Sequence, residues 1–193
     1  MFISDGDLTE HMAAHIAAMN LLAPLGAAAW DRFAGGHAPA NAVRVLPATA
    51  VQMALIWGWH LPAVFAAACQ SPTLTAAMHA SLFLSAFWFW SAVIRGARNA
   101  GWPPLAALLA TGKLFCLFGV LLTFSPRTIY GSLAPICFDP ASPRPLVEDQ
   151  QLAGLLMLAA CPLVYVTAAI AIARRRLAAL ARDGGWSFGQ RVG

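Results

Sequence analysis

Charge is scarce in this 193-residue chain: only 10% of its residues are Asp, Glu, Lys or Arg, where soluble domains carry about a quarter. That scarcity excludes an ordinary water-soluble domain and makes lipid the solvent. Cysteine is sparse too. Cys69, Cys116, Cys137 and Cys161 form no spaced motif; the two at 116 and 161 read as small buried hydrophobes. Also missing are a nucleophile–base pair, a phosphate-cradling glycine loop and paired carboxylates at usable spacing, so the sequence supports no catalysis. Asp139 and Glu148 read as solvated loop acids.

What the chain has is apolar length. It is 60% hydrophobic with a mean hydropathy of +0.67. Five stretches, about 8–30, 45–69, 75–97, 103–124 and 150–173, approach the ~20 residues that a helix needs to cross a bilayer. Their runs are continuous and rich in Ala and Leu, which favours helices over alternating barrel strands. The expectation is one all-α domain over 1–193, a polytopic membrane helix bundle without internal repeats. No cleavable signal peptide is expected, because the acidic amino end lacks a basic n-region and leads straight into a span.

The distribution of charge orients the bundle. Running the first span inward places Arg32, Arg44, Arg95, Arg98, Arg174, Arg175, Arg176, Arg182 and Arg191 on the cytoplasmic side. Arg127 and Arg144 fall outside, with Asp5, Asp7, Glu10, Asp139, Glu148 and Asp149. That pattern obeys the positive-inside rule with the N-terminus outside and the C-terminus cytoplasmic. Residues 174–193 then form a basic cytoplasmic tail near anionic headgroups, so the net charge of +4 calls for the lipid bilayer and for no nucleic acid. Residues 125–147 form a Pro-rich extracytoplasmic loop, long enough to act as a lid or docking surface. Cys69 and Cys137 share that oxidising side, where a disulfide is permitted, though nothing in the sequence shows that they meet. Lys113 falls near the midplane of the fourth span, facing either a polar bundle interior or a conduction path.

Histidine carries the functional signal. His11 and His15 open the first span as an i,i+4 pair, and Met19 continues their stripe. At ~1.5 Å rise per residue, His11, His15, His60, His79 and Met157 all lie roughly 5–10 Å below the outer boundary. Only His37 stands away from this layer. Two imidazoles four residues apart on a helix can share one metal. Imidazole suits copper, zinc, iron and nickel, and the thioethers of Met12, Met19, Met78 and Met157 shift the preference toward copper, as Cu(I). Asp149 and Gln150 are candidate ligands or, preferably, acceptors that orient an imidazole N–H. Pro24, Pro62 and Pro162 interrupt three spans; Pro62 frees the carbonyl of Gly58, a candidate partner for His60.

Five segments in order resemble the integral-membrane CtaG family of caa-type cytochrome c oxidase assembly factors. They are His11-Met12-x2-His15 with Met19 and Pro24, then Trp57-Gly58-Trp59-His60-Leu61-Pro62, then His79 leading into Phe87-Trp88-Phe89-Trp90. Thr123-Phe124-Ser125-Pro126-Arg127 with Tyr130 follows, and Glu148 to Gly154 completes the set. The chain departs in the Phe89 that splits the aromatic pair, in Lys113, and in starting almost at the first histidine motif. The resemblance implies a bacterial cytoplasmic (inner) membrane protein that partners cytochrome c oxidase subunits. Its implied site is His11, His15, His60 and His79, with Asp149 and Gln150. A copper-binding assembly factor is the leading reading. The alternatives are a haem-binding membrane cytochrome, a copper importer and a metal-free assembly scaffold.

Overall fold

The computed structural model describes residues 7–33, 45–98, 102–138 and 144–189. Expectations that rest on Asp5, His37, Arg44, Asp139 and Arg191 lie outside the described residues. Among the described residues the chain is helical, with no strand. Helix α1 runs over Leu8–Phe33, α2 over Val45–Trp59, α3 over Pro62–Gln70, α4 over Pro72–Gly96 and α5 over Pro103–Phe124. A short α6, Ala134–Cys137, precedes the long α7, Leu146–Gly189.

Local chemistry explains where these helices start and how they bend. Pro62, Pro72 and Pro103 each open a helix, where a missing N–H costs nothing and φ is preset. Inside α1, Pro24 can neither donate to nor fit beneath the carbonyl four residues back. The helix widens into a π turn over Ala18–Leu22, and the indole of Trp90 donates to the carbonyl of Met19 at 3.0 Å. A buried backbone acceptor is thereby satisfied from a second helix.

Four helical stretches are long and apolar enough to cross a membrane: Leu8–Phe33, Pro72–Gly96, Pro103–Phe124 and Leu146–Arg182. The expected second span is not one rod. Its two halves, α2 and α3, meet at a 75° bend, because Pro62 and the extended Leu61 before it end one helix and start another. Helix α7 continues through residues 174–189, where the Ala, Leu and Arg of 174–182 are good helix formers.

The most extensive packing joins α5 to α7, where glycine makes close approach possible. A Cβ on Gly119 would stand 3.0 Å from the carbonyl oxygen of Gly154, and one on Gly112 would press on Tyr165 at 3.3 Å. Helix α4 packs against both α1 and α2, and the start of α1 packs on α7. Outward-facing Leu21, Leu25, Leu84, Leu163 and Ile170 are exposed, as befits a multi-pass bundle whose surroundings are hydrocarbon. Lys113 is exposed too, so it faces neither a polar interior nor an internal path. At the arginine end, Asp31 pairs with Arg95 at 3.5 Å and with Arg98. At the histidine end, Cys69 and Cys137 are joined by a disulfide with Cα atoms 5.2 Å apart, which ties α3 to α6. Cys116 and Cys161 are free. Thiol labelling of the unfolded protein should therefore modify only Cys116 and Cys161 without reductant, and all four cysteines with it.

Candidate metal centre

Helix α1 supplies His11 and His15, and its setting is fixed from outside. Its first free N–H groups point at Asp149 of α7, whose carboxylate accepts from Leu8 N at 2.7 Å and from Thr9 N at 3.2 Å. The Thr9 hydroxyl donates to the same carboxylate at 2.5 Å. Asp7 caps the helix as well, accepting from Glu10 N at 3.1 Å. Arg144 lies 3.1 Å from Asp7 and 3.7 Å from Asp149. Two carboxylates at one helix N-terminus suit the helix dipole, and the guanidinium offsets their mutual repulsion.

His60 stands in the break between α2 and α3. Its Nδ1 bonds the carbonyl of Ile56 at 2.7 Å. The expected partner, the carbonyl of Gly58, instead accepts from Leu61 N at 3.3 Å. The carbonyl of His60 itself accepts from the Tyr130 hydroxyl at 2.7 Å. Burial pushes the Tyr130 phenol up, keeping it a donor. His79, half-buried on α4, bonds the carbonyl of Thr75 through Nδ1 at 2.8 Å. A neutral ring that donates from Nδ1 presents the lone pair of Nε2, so both bonds hold an imidazole ready to ligate.

The four rings converge. Centroid separations are 4.3 Å for His11–His15, 4.8 Å for His15–His79, 5.6 Å for His15–His60, 5.9 Å for His11–His79 and 6.0 Å for His11–His60. His11, His15 and His60 each offer a ring nitrogen, all within 4.8 Å of one another. Two nitrogens on one ion at ~2.0–2.1 Å stand at most about 4.2 Å apart, so ligation calls for ring shifts on the order of an ångström. His11 Nε2, both nitrogens of His15 and His60 Nε2 are buried without a hydrogen-bond partner. Native interiors leave few such atoms, and clusters of them mark functional sites.

Beneath the rings lies a cavity of about 10 Å³, lined by Met12, Met19 and Met157 with His15, His60 and Asn20. That is close to the volume of one water or one small ion. The methionines thus meet the histidines on the inner side of the cluster. Asp149 and Gln150 do different work from that expected. Asp149 holds the backbone of α1, and Gln150 holds the loop: its Oε1 accepts from Ile129 N at 2.7 Å and its Nε2 donates to the carbonyl of Leu122 at 3.1 Å. Each positions a chain segment, and neither is bonded to an imidazole.

Sequence reasoning missed Asn20, Tyr130 and Phe65 as parts of the site. Asn20 is buried, and its Nδ2 donates to Cys161 Sγ at 3.3 Å. Tyr130 is one of only two tyrosines in the chain, and a buried hydroxyl in so apolar a protein needs a partner. Phe65 meets His11 at 5.1 Å and Tyr130 at 5.0 Å, so the loop tethered by the disulfide roofs the cluster.

The fold and the site together define a class: a multi-pass α-helical membrane protein with a buried cluster of imidazoles near one end of its bundle. The family model described as cytochrome c oxidase caa3 assembly factor (Caa3_CtaG) matches residues 3–179, and the chain belongs to this family. No curated protein and no solved structure matches it.

The capping network predicts that Asp149→Asn lowers stability in detergent by about 2 kcal/mol, the scale of hydrogen bonds to a charged group. Thr9→Val should cost less. Reversible unfolding monitored by circular dichroism checks both.

Proposed function

We propose that this protein supports the maturation of a haem–copper oxidase by holding copper at His11, His15, His60 and His79 and passing it to oxidase subunits. On the orientation read from the arginines, the site lies near the outer face of a bacterial inner membrane, beneath the loop that carries Tyr130. The observation that carries the reading is the set of buried ring nitrogens without partners, borne by three histidines within 4.8 Å. A metal-free scaffold would leave those nitrogens desolvated with nothing in return.

The surroundings favour copper, and Cu(I) in particular. The donors that line the cavity are two imidazoles, three thioethers and the Asn20 amide, set among Ile16, Ile56, Phe115 and Phe118, an uncharged set whose thioethers suit a monovalent soft ion. With no carboxylate lining it, the site offers a divalent cation little charge compensation. Zinc, by contrast, is commonly held by thiolates or carboxylates beside its histidines.

The haem alternative is less well supported. A macrocycle needs a slot between two facing imidazoles, whereas these rings pack at 4.3 to 6.0 Å and the cavity beside His15 and His60 measures about 10 Å³. The importer alternative loses Lys113 as a path residue, because its side chain is on the outside of the bundle.

Copper loading of the purified protein under reducing conditions tests the proposal. The wild type is expected to retain near-stoichiometric copper, and the folded His60→Ala/His79→Ala variant to lose it. Copper retained by the variant, or absent from the wild type, would overturn the assignment.

A further inference from the structure

The site leaves one charged group unexplained. Lys113 stands about 15 Å from either end of α5 at ~1.5 Å per residue, on the exposed side of that helix. Among the described residues no hydrogen bond or ion pair reaches it. An ammonium facing hydrocarbon at that depth is costly, and intramembrane charges are ordinarily paired. The chain itself offers no counter-charge. Asp31 pairs with Arg95 and Arg98, Asp183 follows the arginine run, and by sequence the remaining acids flank the histidine end. None falls in the middle of a span, so a second copy of the chain supplies none either.

A second feature adjoins it. Between α5 and α7 runs an apolar groove of about 410 Å³, lined among others by Trp102, Leu105, Ala106, Leu109, Ala169 and Ala173. Lys113 follows Leu109 by four residues, one turn farther along the same exposed stripe, which continues through Leu117 and Leu121. Alanines at a groove let another backbone come close, the usual arrangement for helix association in lipid. An acyl chain would also fit apolar walls, but a phospholipid carries its charge at headgroup level, far from Lys113. Charge complementarity at mid-depth selects a protein helix.

We propose that the α5–α7 groove and Lys113 dock a transmembrane helix of another protein that carries a carboxylate near the middle of its span. Resting on the function proposed above, that protein is a subunit of the oxidase under assembly. The carboxylate pairs with Lys113 while the groove takes the helix's apolar face. The arrangement holds the client beside the bundle without involving the histidine cluster.

The test uses the full chain co-expressed with the complete oxidase, with a photo-crosslinking residue at Leu117. Wild type, Lys113→Arg, Lys113→Gln and Lys113→Glu are compared for crosslinked oxidase subunit and for spectroscopically measured oxidase content. Copper retention and helical circular dichroism report folding. The expected result is a crosslink to an oxidase transmembrane segment bearing Asp or Glu, kept by Lys113→Arg. In Lys113→Gln and Lys113→Glu it should fall roughly tenfold, the scale of one intramembrane polar contact, with copper retention unchanged. Equal crosslinking in Lys113→Gln, or crosslinks only to lipid or to a second copy, would overturn the docking proposal. Oxidase content that is unchanged when the protein is deleted would instead overturn the assembly reading on which it rests. If deletion lowers oxidase content while Lys113→Gln restores it fully with the crosslink intact, only the docking proposal falls.

Discussion

The grip of Asp149 on the start of α1 is the interaction on which the site depends. Packing alone sets the rotation of a helix in lipid loosely, since one apolar face resembles another to an acyl chain, and an interhelical hydrogen bond sharpens it. Here one carboxylate takes two backbone N–H groups and a hydroxyl, pinning α1 against α7 at its first turn. With that end held, the i,i+4 spacing of His11 and His15 turns both rings toward α2, α3 and α4. The π turn and its Trp90 contact hold the same helix lower down. Arg144 bridges Asp7 and Asp149, and none of these three side chains lines the cavity.

The break at His60 is the second constraint. A straight helix over 45–69 would bury the His60 carbonyl within its own ladder. The 75° bend leaves that carbonyl to Tyr130, and so couples the backbone beside the His60 ring to the loop above it. The loop is in turn held by Gln150 and by the Cys69–Cys137 disulfide. The cluster therefore has helices on its sides and a covalently tethered loop above it, and within it His11 Nε2, both nitrogens of His15 and His60 Nε2 have no hydrogen-bond partner.

Much of this was legible in the sequence because membrane helices have so little freedom. Apolar length gives the spans, the rise per residue gives depth, and equal depth brought His11, His15, His60, His79 and Met157 into one layer before any contact was known. The first-helix stripe from His11 through Met19 needed only the 3.6-residue period. What stayed hidden depends on partners far apart in the chain. Nothing in Asp149 or Gln150 says whether a polar side chain near the boundary will bind a ring, a helix end or a loop. Pro62 announced a disturbance but not its size, since a kink and a break begin with the same missing N–H. Cys69 and Cys137 were on one side of the membrane, yet only the fold of the intervening helices could bring them together. Lys113 misled because charge in a span usually faces inward, and here it does not.

The account separates two roles on one bundle: an imidazole and thioether interior for a soft ion, and an exterior face whose lone ammonium calls for a partner. Its central claim concerns the interior. Copper K-edge X-ray absorption on the Cu(I)-loaded protein addresses it most directly. The account predicts a low-coordinate Cu(I) shell with imidazole multiple scattering and a sulfur contribution that disappears in Met12→Leu/Met19→Leu/Met157→Leu. A shell of oxygen scatterers without imidazole would contradict it and place any bound copper elsewhere.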